Sequence, residues 1–126
     1  MKIIRFNDLD FIPASHEDPK DPGVLKKVLL TKDHLPPGTI QMINWSKLPK
    51  GKSFKPHYHE AMIEVFIVIS GRIRAKVDGE EAILEKGDLV LVKEKQAHIF
   101  ENISEEDVDY LCIGVVTSEG GRSINI

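Results

Sequence analysis

Between Gly51 and Gly71 the chain reads GKSFKPHYHEAMIEVFIVISG, and this stretch restricts the fold more than any other. His57 and His59 stand two residues apart, the spacing that places two side chains on one face of a strand. Val65 to Ile69 is an unbroken apolar run, mostly β-branched, that Gly71 ends. Such a run, apolar at both parities, reads as a strand covered on both faces, with a core on one side and a second sheet or subunit on the other. Glu64 opens the run five residues past His59, an odd offset. An unbroken strand would send its carboxylate to the face opposite the imidazoles. A turn or bulge between Glu60 and Ile63 is therefore needed to bring the three together. A buried carboxylate also needs a partner, and a metal ion is one that could serve.

The remaining segments are short and punctuated by turn signals. Lys2 to Phe6 reads as a short edge strand. Ala14 to Gly23 carries Pro19 and Pro22 among charges and reads as a surface loop, with His16 solvated. Val24 to Thr31 reads as a strand. His34 falls in a loop closed by Pro36, Pro37 and Gly38, again facing solvent. Thr39 to Leu48 alternates, with Ile40, Met42, Asn44 and Ser46 on one face. Neither face is cleanly apolar, as in a barrel wall that lines a mixed pocket. Arg72 to Val77 and Glu80 to Leu84 form a hairpin around Asp78-Gly79, a type I′ signal. Leu89 to Val92 reads as a short buried strand, Lys93 to Ala97 as a charged loop, and His98 to Asn102 as a strand. Ser104 to Asp107 is a polar turn. Val108 to Thr117 is the last long strand, and the tail from Ser118 is expected to pair at an edge or exchange with a partner. About nine to ten short strands without a long helix describe an all-β sandwich or barrel.

Bulk properties narrow the function. A chain of 126 residues, 41% of them hydrophobic, corresponds to one domain with a modest core. A net charge of −3 favours neither nucleic acid nor an anionic membrane as a partner. The longest apolar run is far too short to span a bilayer, and the N-terminus lacks the apolar core of a signal peptide. The single cysteine, Cys112, allows no internal disulfide and is consistent with a cytoplasmic location. It has no basic neighbour in its strand, so it reads as a core residue and not a nucleophile. The two-sided apolarity of Val65 to Ile69 points to a homodimer through a sheet face.

The chemistry-bearing residues are His57, His59 and Glu64, joined by His98 from the second stretch, Gly87 to Asn102. Three imidazoles and a carboxylate suit a divalent first-row transition metal, with Mn, Fe, Co, Ni or Zn all compatible. On a six-coordinate ion such a set leaves two open positions, as a catalytic site requires. Binding is expected to weaken as pH falls through the histidine range near pH 6. Phe66 and Phe100 share faces with Glu64 and His98 and are candidate pocket-wall residues. Asn102 is a further candidate there, although a strand-end hydrogen bond is the plainer role. Tyr58 and Glu60 are the nearest groups able to act as a general base, and both are expected to point away.

Gly51, His57, His59, Glu64 and Gly71 resemble, at every fixed position, the first motif of the cupin superfamily. Gly87, His98 and Asn102 resemble its second motif, with Lys93 and Lys95 standing where the family usually has proline and glycine. The resemblance extends over about residues 38 to 117 and implies a jelly-roll barrel of two antiparallel sheets with ligands facing inward. Residues 1–37 would then be an N-terminal strand and loop extension of a single domain spanning 1–126. The short spacing between the motifs is similar to that of small microbial members.

The resemblance implies a metalloenzyme of the dioxygenase, decarboxylase or isomerase type acting on a small polar or carboxylate-bearing molecule. A second possibility is a non-catalytic sensor that binds a metal and a small ligand such as a sugar or organic acid. Such modules are often fused to a helix-turn-helix, which this chain lacks. A third is a purely structural barrel without metal, against which the four ligand-competent residues at family spacing weigh.

Overall fold

The structure, a computed structural model, describes residues 4–31, 40–117 and 123–126. After a 3₁₀ turn at Phe6–Asp8 come β1 (Ile12–Pro13), β2 (Leu25–Thr31), β3 (Ile40–Leu48), β4 (His57–His59), β5 (Met62–Ser70) and β6 (Arg72–Val77). They are followed by β7 (Glu80–Glu85), β8 (Leu89–Val92), β9 (His98–Asn102), β10 (Val108–Val116) and β11 (Ser123–Asn125). Two antiparallel sheets result, with strand orders β1-β2-β3-β10-β5-β8 and β11-β4-β9-β6-β7. They form the expected jelly-roll sandwich, whose inner faces bury Leu48, Phe54, Phe66, Val68, Ile73, Val92, Phe100, Val108, Tyr110 and Cys112.

Alternation along the strands decides what enters this core. In β5 the buried residues are Met62, Glu64, Phe66 and Val68, while Ile63, Val65, Ile67 and Ile69 are half-buried on the outer face. The apolar run is thus fully covered on one side only. β8 departs further from expectation. It is an edge strand, and its Leu89 and Leu91 point outward at 55% and 46% exposure while Val92 is buried.

The expected N-terminal edge strand is corrected. Lys2 and Ile3 lie outside the described residues, and Phe6 belongs to the 3₁₀ turn. That turn lets Phe6 pack edge-on against Trp45 at 5.0 Å and accept, through its carbonyl, a hydrogen bond from Lys27 Nζ at 2.8 Å. The edge position is taken by Ile12–Pro13, paired with Leu25 and Lys26. His34 lies outside the described residues, as do 118–122 of the tail. Ser123–Asn125 pairs with β4 of its own chain.

Two turns test the backbone chemistry of the sequence. Asp78 and Gly79 both adopt positive φ, 50° and 84°, as a type I′ hairpin demands. At Lys93–Gln96, Gln96 N donates to Lys93 O at 3.2 Å and Lys95 has φ 64°, a left-handed third turn position that favours glycine. A lysine there carries a steric cost of order 1 kcal/mol. The variant Lys95→Gly is expected to raise stability by up to about 1 kcal/mol, read as a higher midpoint in urea unfolding. A lower midpoint would show that the lysine side chain contributes more than its backbone costs.

Candidate metal centre

Local strand geometry assembles the cluster from both sheets. β4 and β9 are neighbours, with His57 directly opposite His98, and the period of two brings His59 to the same inner face as His57. The odd offset of Glu64 is resolved by a bend at Glu60–Ala61, tied down where Thr117 N donates to Ala61 O at 2.8 Å. This bend carries the chain from one sheet to the other. Glu64 therefore meets the histidines from across the barrel, not from alongside them. One potential ligand atom each from His57, His59, Glu64 and His98 lies within 4.8 Å of the others, and all four residues are buried.

The tautomers of two rings follow from their partners. His57 Nδ1 lies 2.8 Å from Lys55 O, and His98 Nδ1 lies 3.0 Å from Gln96 O. A carbonyl only accepts, so each Nδ1 carries the proton and each Nε2 keeps its lone pair for the interior. Glu64 Oε1 is 2.5 Å from His59 Nε2 and 3.2 Å from His98 Nε2. Glu64 Oε1 and His98 Nε2 are buried without a properly aligned hydrogen bond. Lone pairs converging on one point, deep in the core and unsatisfied by the protein, are what a divalent ion would complete. The donor set fits a first-row transition metal.

Burial, followed by repulsion from His16 and His98, pushes the His57 pKa down to about 3. The expectation of proton competition near pH 6 is therefore corrected for this ring, which stays neutral well below that. Burial alone would raise the Glu64 pKa, but the close approach of the His59 and His98 rings outweighs it and holds the carboxyl well below its usual range. Burial, then the charge of Glu64, pushes the Cys112 thiol well up. That agrees with its expected inertness as a nucleophile. It also reveals a contact that the sequence hid: Cys112 Sγ donates to Glu64 Oε2 at 3.0 Å.

His16 is not solvated. Its ring stacks on that of His57 at 4.0 Å, and Glu17 behind it accepts from Gly23 N at 2.6 Å and Lys55 N at 3.0 Å. Glu17 thereby ties the 14–23 loop over the cluster, where solvent exposure was expected. Proline and charge in that loop give no sign of this, because the partner atoms are backbone amides distant in sequence. A cavity of about 170 Å³ opens beside the cluster, and His16, Lys26, Asn44, Phe54, Phe66 and Cys112 are among its walls. Of the three expected wall residues only Phe66 serves. Phe100 packs behind it at 4.7 Å between ring centroids. Asn102 is occupied with backbone, donating to Leu48 O at 2.9 Å and Glu106 O at 2.8 Å and accepting from Ser104 N at 2.7 Å.

These shifts set the acid response of the metal-free chain. The folded pKa of His57, about 3, lies below the ordinary 6.5, so the unfolded chain takes up the proton first as pH falls. Stability is complete above about pH 6.5 and declines toward pH 3, by at most about 1.4 kcal/mol per pH unit for one group. His16, lowered mainly by burial, acts in the same direction. Glu64 adds its own loss below its ordinary 4.5, since its folded value is depressed. Urea midpoints of the metal-free protein are expected to fall steadily from pH 7 to pH 4, and the variant His57→Phe should flatten that slope.

Residues 44–114 match the family model described as "Cupin domain". Among curated proteins, an oxalate-binding protein of Thermotoga maritima is 27% identical over 67 residues, 53% of this chain and 55% of its own length. The match thus spans about half of that relative. A Thermotoga maritima structure described as a predicted oxalate decarboxylase superposes with TM-score 0.80 at 22% identity, covering 91% of this chain and 99% of that one. KdgF from Halomonas sp. gives 0.75 at 18%, covering 94% and 96%. A cupin sugar phosphate isomerase from Silicibacter pomeroyi gives 0.74 at 19%, covering 92% and 76%. At these identities the superpositions speak for the fold alone. The family match takes in more than half of the chain, on a jelly-roll of this form: the chain belongs to the cupin family.

Proposed function

We propose that His57, His59, Glu64 and His98 bind one divalent transition metal, and that the protein is a metalloenzyme acting on a small polar or carboxylate-bearing molecule. The carrying observation is the buried convergence of the four ligand atoms within 4.8 Å. The metal would supply Lewis acidity and, as iron, redox chemistry. The chain itself holds His57 and His98 in one orientation through Lys55 O and Gln96 O, and Phe54 and Phe66 supply apolar wall to the cavity beside them. A dioxygenase, decarboxylase or isomerase is the reaction class proposed. The descriptions of the relatives as a predicted oxalate decarboxylase and a sugar phosphate isomerase fit that range. A non-catalytic binding module is the second reading, favoured by the name of the oxalate-binding relative.

The free thiol of Cys112 suits a cytoplasmic setting, and among the described residues no helix is long and apolar enough to cross a membrane. The outer face formed by Val65, Ile67, Leu89 and Leu91 is proposed to pair with a second copy of the chain. Light scattering is expected to give the mass of a dimer at micromolar concentration, and a monomer would sink that pairing.

Elemental analysis of untagged protein is expected to find close to one equivalent of Mn, Fe, Co, Ni or Zn, lost in His57→Ala/His59→Ala. Wild-type protein that stays metal-free after reconstitution would overturn the metal reading. Replacing Cys112 by Val removes the donor to Glu64 Oε2 and is expected to weaken metal binding by about 10- to 100-fold. Competition with a chromophoric chelator would measure this, with Cys112→Ser closer to wild type.

A further inference from the structure

The cavity wall facing away from the cluster carries polar groups that the metal site does not use. The inner face of the larger sheet is laid out in rows by its register. Lys26 lies opposite Ser46, and Ser46 opposite Tyr110. Asn44 lies opposite Cys112, and Cys112 opposite Phe66. Met42 lies opposite Gly114, and Gly114 opposite Glu64. Lys26 and Asn44 thus sit on the same inner surface as Glu64, displaced from it across the sheet and along it.

Two features mark this wall as unfinished. Asn44 is only 5% exposed, and its Oδ1 has no hydrogen-bond partner. Its Nδ2 reaches only Met42 Sδ, at 3.4 Å, a weak acceptor. Rotating the amide by half a turn presents its NH₂ to the cavity without breaking a strong bond. Lys26, half-buried on the same wall, makes no ion pair with a carboxylate among the described residues.

Charge balance then selects the ligand, given the metal reading above. A divalent ion with one carboxylate ligand leaves one positive charge uncompensated, and Lys26 adds a second. Glu17 keeps its negative charge, but it lies behind His16, whose Nδ1 is 3.4 Å from it, accepts from Gly23 N and Lys55 N, and does not line the cavity, so its charge lies outside the space a ligand would fill. Uncompensated charge in a low-dielectric cavity calls for a counter-ion. We infer that Lys26 and Asn44 form a carboxylate subsite across the cavity from the metal cluster, and that the ligand is a small dicarboxylate bridging the two.

Spacing sets its length. Lys26 is three strands across from β5 and, in register with Val68, four residues along it from Glu64, roughly 20 Å at the backbone for strands about 4.8 Å apart and about 3.3 Å per residue. The lysine stem and the metal ligands close part of that distance. A diacid with methylenes between its carboxylates spans the remainder, whereas oxalate, with none, does not. The cavity of about 170 Å³ accommodates a ligand of that size.

The test uses the full chain loaded with Mn(II), its occupancy established by elemental analysis. Calorimetric titrations compare succinate, oxalate and butyrate, the last a chain of similar length with one carboxylate. The wild type is expected to bind succinate at least tenfold tighter than butyrate and tighter than oxalate. Lys26→Met should abolish the preference for succinate while leaving butyrate affinity within about twofold, and Lys26→Arg should retain it. Unchanged metal uptake and an unchanged melting temperature in Lys26→Met show that the variant is folded. Equal binding of succinate and butyrate, no binding of either, or a preference that survives Lys26→Met would each overturn the subsite. Oxalate binding tightest would overturn it too, since both carboxylates would then sit at the metal. Failure to take up Mn(II), or any of the other divalent metals, would instead overturn the metal reading.

Discussion

Glu64 places a carboxylate inside a protein interior, where an uncompensated charge costs several kcal/mol. Much of the barrel's inner architecture answers that charge. The Cys112 thiol donates to one oxygen, while the other faces Nε2 of His59 and His98, the place where a metal ion would neutralise it. The two oxygens therefore have different neighbours, which fixes how the carboxylate is turned. Burial keeps the thiol protonated, and so keeps it a donor. Phe66 and Phe100 pack edge-on against each other, ring centroids 4.7 Å apart, and give the site an apolar flank.

The same residue ties the two sheets together. The β4 histidines and His98 belong to one sheet and Glu64 to the other, so the cluster closes only if the sandwich is packed correctly. A bend of two residues at Glu60–Ala61 is enough to make the crossing. Metal binding would therefore draw the sheets together, coupling occupancy to folding.

The cluster was legible because its information is local. The two-residue spacing of His57 and His59 fixes a shared face, and the odd offset of Glu64 demanded the turn that is found. The hairpin at Asp78-Gly79 was equally local, since positive φ at two consecutive positions has a short residue menu. What failed was non-local. His16 reads as an ordinary loop histidine until Glu17 is seen to reach the amides of Gly23 and Lys55. Phe6 lies in a segment that reads as a strand, and only its packing on Trp45 and Lys27 explains the turn. Asn44 and Ser46 were legible as a mixed face, but not as residues bordering an unfilled wall. Phe100 and Asn102 lie on the expected face yet end behind the cavity or in backbone bonds, because strand parity gives direction and not depth.

Lys95 shows why a strained residue can persist beside such a site. Its amide donates to His59 O at 2.7 Å, and the next carbonyl in the chain, Gln96 O, accepts from His98 Nδ1. The turn that forces Lys95 to a φ of 64° thus touches two of the four cluster residues at once. A relaxed φ at Lys95 would swing the Gln96 carbonyl and release the His98 ring from the tautomer that points its lone pair inward. The backbone cost, of order 1 kcal/mol, is small beside that of a misoriented ligand in a buried site. The turn's hydrogen bonds are therefore strong enough to hold a residue type that its conformation disfavours.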